Sequence, residues 1–186
     1  QVLFDGVDLL KLGSREMKEM RKKVQIIFQD PYSCLNPRLS VWELIAEPLI
    51  VNNVYGSKAE MRKRIRELMS TVGLAERLEN SYPHELDGGR RQRIGIARSL
   101  ALNPEFIVLD EPVSALDVCI QAQILNLLNE LQREFHYTYV FISHNLSVVK
   151  HVSDRIAVMY LGQVVELCDY KELFTTALHP YTQALL

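Results

Sequence analysis

The stretch Phe106-Ile107-Val108-Leu109-Asp110-Glu111-Pro112 decides the fold. Four consecutive apolar residues that end in two carboxylates and a proline predict a buried strand, because a strand covered on both faces runs apolar without alternation. Open parallel sheets take their ligands at the carboxyl ends of the strands. Asp110 and Glu111 therefore fall where chemistry is done. One carboxylate there can hold Mg2+, usually through water, since this ion keeps much of its hydration shell. The next can point at an attacking water as a general base. An exposed Asp-Glu pair opening a loop has the same composition, so this stretch alone leaves both readings open.

Strands and helices alternate on either side of it. Upstream, Val24 to Phe28 is rich in β-branched residues and bounded by Gln29-Asp30-Pro31, which predicts a second buried strand. Downstream, Asp117 to Phe135 sets Ile120, Ile124, Leu127, Leu128 and Leu131 on one side of a long helix. Thr138–Ser143 then reads as a strand, Asn145–Val152 as a helix, and Ile156–Tyr160 and Val164–Leu167 as two strands. At the start, residues 1–4 read as a strand, Asp5-Gly6 as a turn, and Ser14–Lys22 as a helix with Ser14 as its N-cap. Such alternation implies an α/β domain.

The alternation stops between residues 31 and 102. Residues 31–40 are a loop rich in Pro, Asn and Ser, and 41–50 fit a short helix. Lys58–Val72 repeats Met61, Ile65, Leu68, Met69 and Val72 at helical spacing and ends at Gly73. Gly88–Leu102 predicts a further helix, basic at its start and apolar after Ile94. The stretch of about 31–102 therefore reads as an inserted helical subdomain, with an α/β core from 1–30 and 103–170.

The 186 residues, 48% hydrophobic and 24% charged, allow one domain with a core of its own. A net charge of −2 gives no global basic field, so nucleic acid is not an expected partner. The clusters Arg21-Lys22-Lys23 and Arg62-Lys63-Arg64 read as solvated faces. Cys34, Cys119 and Cys168 form no CxxC pair, which speaks against a zinc site or a disulfide framework and for a reduced, cytosolic compartment. No apolar run approaches the roughly 20 residues of a membrane span, and no secretory signal is expected. The opening Gln1-Val2-Leu3-Phe4, a strand under way without an initiating Met, gives the expectation of a truncated beginning.

Three further segments carry chemistry. Leu86-Asp87-Gly88-Gly89-Arg90-Arg91-Gln92-Arg93 enters a helix, where paired glycines allow close approach of a phosphate and the first N–H groups favour anions. A plain Gly-Gly turn would look the same. Ser143-His144-Asn145 places a histidine after a strand, where it can hydrogen-bond a terminal phosphate or serve as a structural residue. Gln29 ends another strand, where it can bind Mg2+ or water.

Their order carries more than any one of them. FQDP (28–31), LDGGRRQRIGIARSL (86–100), IVLDEP (107–112), SALD (114–117) and ISHN (142–145) together resemble the ABC ATPase family over essentially the whole chain. They correspond to its Q-loop, signature sequence, Walker B strand, D-loop and switch histidine. QDPYSCLNPR (29–38) and HPYTQALL (179–186) are similar to the oligopeptide and dipeptide importer branch, which includes nickel and glutathione importers. The resemblance implies a partial P-loop NTPase (RecA-like) core with the helical subdomain inserted, and residues 171–186 as the start of a C-terminal extension. It implies that Asp110 and Gln29 serve Mg2+ and that Glu111 polarises the attacking water. His144 would contact the γ-phosphate of ATP. Asp117 would reach across a dimer interface, and Asp87, Gly88, Gly89 and Arg90 would face nucleotide held by a second ATPase subunit. Tyr32 and Trp42 would lie near the groove for a membrane subunit, Trp42 equally well in the core. The implied partners are that second subunit, transmembrane permease subunits and a separate solute-binding protein, at the cytoplasmic face of the membrane. The solute itself is not encoded in these features.

Two features depart from the family. No GxxxxGK[ST] occurs, nor the upstream aromatic that stacks on adenine, so the 186 residues alone are expected to be inactive. The family's LSGGQ reads LDGGR, which places the Asp87 carboxylate where a hydroxyl would meet phosphate. Arg90 can offset that charge, or Asp87 can cap the helix at Gly88. A soluble ABC protein acting as a scaffold in repair or translation is the alternative. It would carry a long coiled coil or tandem cassettes, and neither is visible. A binding module without catalysis is a third reading, opposed by Asp110, Glu111 and His144.

Overall fold

A computed structural model of the chain describes residues 1–30 and 32–186, so Pro31 of the predicted strand boundary lies outside the described residues. The chain forms two compact units, residues 1–140 and 141–186.

The first unit opens on a hairpin. Strands β1 (Leu3–Phe4) and β2 (Val7–Asp8) pair antiparallel across Asp5 and Gly6, both at positive φ (47° and 77°), as a tight two-residue hairpin turn requires. Helix α1 (Ser14–Lys23) follows, and it corrects the predicted cap. Gly13 is the N-cap, and the Glu16 carboxylate accepts its N–H at 3.0 Å. A glutamate reaching back from the first turn satisfies that donor, so Ser14 is free to be the first helical residue.

Strand β3 (Val24–Ile27) continues directly from α1, and β4 (Phe106–Asp110) pairs parallel with it from Val24↔Phe106 to Ile27↔Leu109. Strand β5 (Thr138–Ile142) completes the order β3-β4-β5. Ile107 and Leu109 are buried, but Phe106 and Val108 are only half-buried, and Ile26 of β3 is 40% exposed. The unbroken apolar run of β4 is thus fully covered on one face only.

Among the described residues, three α-helices separate β3 from β4. In α2 (Val41–Val51) the Glu43 carboxylate accepts the Ser40 N–H at 2.7 Å while the Ser40 hydroxyl accepts the Glu43 N–H at 3.4 Å, a reciprocal cap. In α3 (Lys58–Thr71) the predicted stripe Met61, Ile65, Leu68 and Met69 is buried, and Gly73 at φ 68° ends the turn. In α4 (Gly88–Leu100) Ile94, Ile96, Ala97 and Leu100 are buried. Helices α2, α3 and α4 pack on one another, and α4 also packs on β3 and on α5 (Val118–Phe135). Helix α5 buries Ile124, Leu125, Leu127, Leu128 and Leu131 and is closed by His136 at φ 58°.

The second unit holds α6 (Leu146–Val152), the antiparallel pair β6 (Arg155–Tyr160) and β7 (Gln163–Asp169), and the short helices α7 (Tyr170–Thr176) and α8 (Pro180–Leu185). Val149, Ile156, Val158 and Leu173 form its core. Helices α7 and α8 have no counterpart in the sequence reading. Their anchors are tertiary: the Glu166 carboxylate accepts the Leu178 and His179 N–H groups at 2.8 and 3.1 Å, and the Tyr181 ring lies 4.5 Å from that of Tyr160. Among the described residues, no helix is long and apolar enough to cross a membrane.

Candidate functional site

The end of the β3–β4 pair builds the site. Parallel strands finish at the same edge, and the offset of 82 residues that joins Val24 to Phe106 also joins Gln29 to Glu111. The Gln29 Nε2 donates to Glu111 Oε2 at 2.9 Å. Asp110, the last residue of β4, is half-buried beside them. Glu111 adopts φ 45°, a left-handed conformation that non-glycine residues take at a cost of order 1–3 kcal/mol. Its carbonyl is held by Ser114, which donates both its hydroxyl (3.0 Å) and its N–H (3.2 Å). Ser114, read in the sequence only as the start of SALD, is thus the support of the Glu111 turn.

These residues suit a hard cation. Gln29 turns its amide nitrogen to the carboxylate, which leaves the amide oxygen as the acceptor end of that side chain. Asp110 adds a carboxylate. Among the described residues no group of three or more His, Cys, Asp and Glu forms a metal cluster. Mg2+ does not require one, because it is held by one or two carboxylates together with substrate phosphates and water.

The segment 86–93 is arranged around α4. Asp87 is the N-cap: its Oδ1 accepts the Arg90 N–H at 2.8 Å, and its Oδ2 lies 3.4 Å from Arg90 Nη1. Capping and charge pairing therefore coexist in one side chain. The two glycines face a packing demand. A Cβ at Gly89 would lie 2.7 Å from Ile120 Cγ2, and one at Gly88 would lie 3.1 Å from Leu116 Cδ2. The backbone of α4 thus lies against Ile120 of α5 and against Leu116 in the turn after Glu111. Ile120 and Leu116 are what the sequence reading missed as the reason for glycine. Asp117 is exposed, and its carbonyl accepts the Gln121 N–H at 2.8 Å at the start of α5.

His144 lies in the second unit, exposed, just past β5. The next residue, Asn145, caps α6 by accepting the Ser147 N–H at 3.0 Å. Tyr32 is 65% exposed. Trp42 is half-buried, with an indole Nε1 that has no hydrogen-bond partner among the described residues.

Known proteins are similar to this chain in sequence and in fold. The chain is 54% identical along its whole length to the oligopeptide transport ATP-binding protein AppF of Bacillus subtilis, of which it covers 56%. It is 53% identical to the oligopeptide transport ATP-binding protein OppF of Salmonella typhimurium, again over its whole length and 56% of that protein. The chain thus spans little more than half the length of these curated relatives. Among solved structures, cbiO1 of Clostridium perfringens, described as part of the ABC transporter complex cbiONQ, matches 94% of this chain and 67% of its own, with a TM-score of 0.83 and 29% identity. The ATP-binding cassette MJ0796, solved as a dimer in a post-hydrolysis state with ADP and Pi, matches 90% of this chain and 72% of its own, with a TM-score of 0.77 and 33% identity. Residues 1–114 match the ABC transporter family. With the mixed α/β fold, the ordered motifs and these relatives in agreement, the chain belongs to the ABC transporter family, among its ATP-binding proteins.

Proposed function

We propose that the protein is the ATP-hydrolysing subunit of an importer of oligopeptides or dipeptides. The observation that carries this is the Gln29–Glu111 hydrogen bond at the carboxyl end of two parallel strands, with Asp110 beside it. Glu111 acts as the general base that orients water for in-line attack on the γ-phosphate. The Gln29 donor and the Ser114 clamp fix where that carboxylate points. Asp110 and the Gln29 amide oxygen would hold Mg2+, which would supply positive charge against the phosphate oxygens. His144 contacts the γ-phosphate, and Asp87, Gly88, Gly89, Arg90 and Asp117 face nucleotide shared with a second subunit.

The 186 residues contain no GxxxxGK[ST], so this reading assigns the phosphate cradle to sequence outside them. It also takes residues 31–102 as the helical subdomain that meets permease subunits, at the cytoplasmic face, with a separate binding protein delivering solute. Relatives named for oligopeptide transport, and a solved neighbour named as part of a transporter complex, support it. The test is Glu111→Gln in the full-length subunit. ATP binding should persist while turnover falls by about 10²–10⁴, the usual cost of losing a positioned base. Turnover equal to wild type would remove Glu111 from the reaction.

A further inference from the structure

Helix α4 carries two buried donors that nothing among the described residues accepts. Arg91 is 5% exposed and Gln92 is 2% exposed, and neither Arg91 Nη1 nor Gln92 Nε2 has a hydrogen-bond partner. A buried donor left unmet is costly, and a buried cation more so. Both side chains line a small cavity beside the end of β3, about 10 Å³ in volume. That is room for a single atom-sized ligand. Ile27, Phe28 and Leu35 supply apolar walls, and Arg98 lines it as well. None of the described residues around it is an aspartate or a glutamate. Nor is Arg91 or Arg98 paired with a carboxylate anywhere among the described residues. The Arg91 charge is met only by the Tyr32 ring, 3.6 Å from guanidinium carbon to centroid, and by the Pro83 carbonyl, which accepts from Nε. Arg98 Nη1 already donates to the carbonyl of Cys34 at 2.9 Å. Two cations and a spare amide donor therefore surround a space that has no counter-charge.

We propose that this cavity binds one monatomic anion, a halide such as chloride, held by Arg91 Nη1 and Gln92 Nε2. The donors decide between an anion and a water. A water that accepts from both must still place its own two protons, and the walls it meets are largely apolar or cationic. A halide accepts both N–H groups, has no proton to place and supplies the missing negative charge. Sulfate and phosphate are too large for the space. The site does not rest on the ATPase reading, because neither Arg91 nor Gln92 has a part in it.

The test uses the full-length protein without nucleotide. Its Tm is followed as sodium gluconate is replaced by sodium chloride at constant ionic strength. Chloride should raise Tm by about 2–4 °C and then saturate, because a ligand that binds only the folded state stabilises it by mass action. Gln92→Leu removes one donor while keeping the bulk, and should abolish that rise. Crystals of the wild-type protein soaked in sodium bromide should show an anomalous peak at hydrogen-bond distance from Arg91 Nη1 and Gln92 Nε2. This measurement needs no variant, so it decides the matter even if Gln92→Leu does not fold. Density at that point without an anomalous signal identifies a water and would overturn the proposal, as would no density at all. A bromide peak with equal Tm in chloride and gluconate would also overturn it, by marking an adventitious ion only. A chloride-dependent rise that persists in Gln92→Leu would place the anion elsewhere and overturn the assignment to this cavity.

Discussion

Gly89→Ala should destabilise the first unit, and the structure sets the size of the effect. The added Cβ would sit 2.7 Å from Ile120 Cγ2 and 3.5 Å from Asp87 Oδ1. Carbon atoms rest at about 3.5–4.0 Å, so roughly 1 Å of separation must be found. Ile120 is β-branched on a helix and has one favoured rotamer, so it cannot swing aside cheaply. Overpacking of this kind costs about 1–3 kcal/mol. Alanine returns at most about 1 kcal/mol of helix propensity, and less at the second residue of a helix. The net loss should be about 1–2 kcal/mol, which for a chain of this size lowers Tm by about 2–4 °C per kcal/mol. Gly95 is the internal control, because nothing lies within 4 Å of its Cβ position. Gly95→Ala should stabilise by about 0.5–1 kcal/mol. Ile120→Leu deletes the offending Cγ2 and should rescue Gly89→Ala. Urea unfolding followed by Trp42, the sole tryptophan of the 186 residues, reads all three variants. A Gly89→Ala midpoint at or above wild type would refute the packing argument. If the double variant, placed in the full-length protein, recovers stability but not turnover, the glycine serves the phosphate as well.

Other outcomes follow from single contacts. Asp87→Ala should cost about 0.5–2 kcal/mol through the lost cap on Arg90 N–H, seen as a lower urea midpoint. Asp87→Ser keeps most of that cap without the charge. If the carboxylate repels phosphate, nucleotide-dependent dimerisation and turnover rise in the full-length protein; unchanged values leave Asp87 as a cap alone. The Leu178 N–H and the His179 N–H, which both donate to it, hold the Glu166 carboxyl below its ordinary 4.5. A depressed folded pKa means stability that is present above pH 4.5 and is lost as pH falls through the lower folded value. The protection of the Leu178 and His179 amides, measured against their intrinsic exchange rates, should therefore fall in acid, and Glu166→Gln should remove that dependence; an identical acid profile of protection in the variant would refute it.

What the sequence disclosed was local. The strand ending in Asp110 and Glu111 and the stripe Met61, Ile65, Leu68 and Met69 were legible because an apolar run and a helical period are written in neighbouring residues. The N-cap of α1 was misread because Ser14 has the better capping side chain, while Glu16 reaches back to Gly13 instead. Helices α7 and α8 were invisible, being short and anchored through Glu166 and Tyr160. The basic start of α4 hid two different fates. Arg90 is exposed beside Asp87, whereas Arg91 is buried against Tyr32, and nothing in the run Arg90-Arg91 distinguishes them. The demand for glycine at position 89 was legible as a motif but not as a cause, since the cause is a methyl group on another helix.

The meeting of Gln29 with Glu111 has a simpler origin than any of these. VQIIFQ runs from 24 to 29 and FIVLDE from 106 to 111, so each segment reaches its proposed site residue in the same number of steps. Parallel pairing keeps a constant offset, and a slip of one residue turns every side chain to the opposite face. Once Val24 stands beside Phe106, Gln29 is carried to Glu111 without any further instruction. The left-handed turn at Glu111 then stops the strand there, and Ser114 holds that stop in place. An insertion between Val24 and Gln29, or between Phe106 and Glu111, would break the pair while leaving both residues present in the sequence. The spacing within these segments, more than the identity of the two residues, is what brings Gln29 and Glu111 together at this edge.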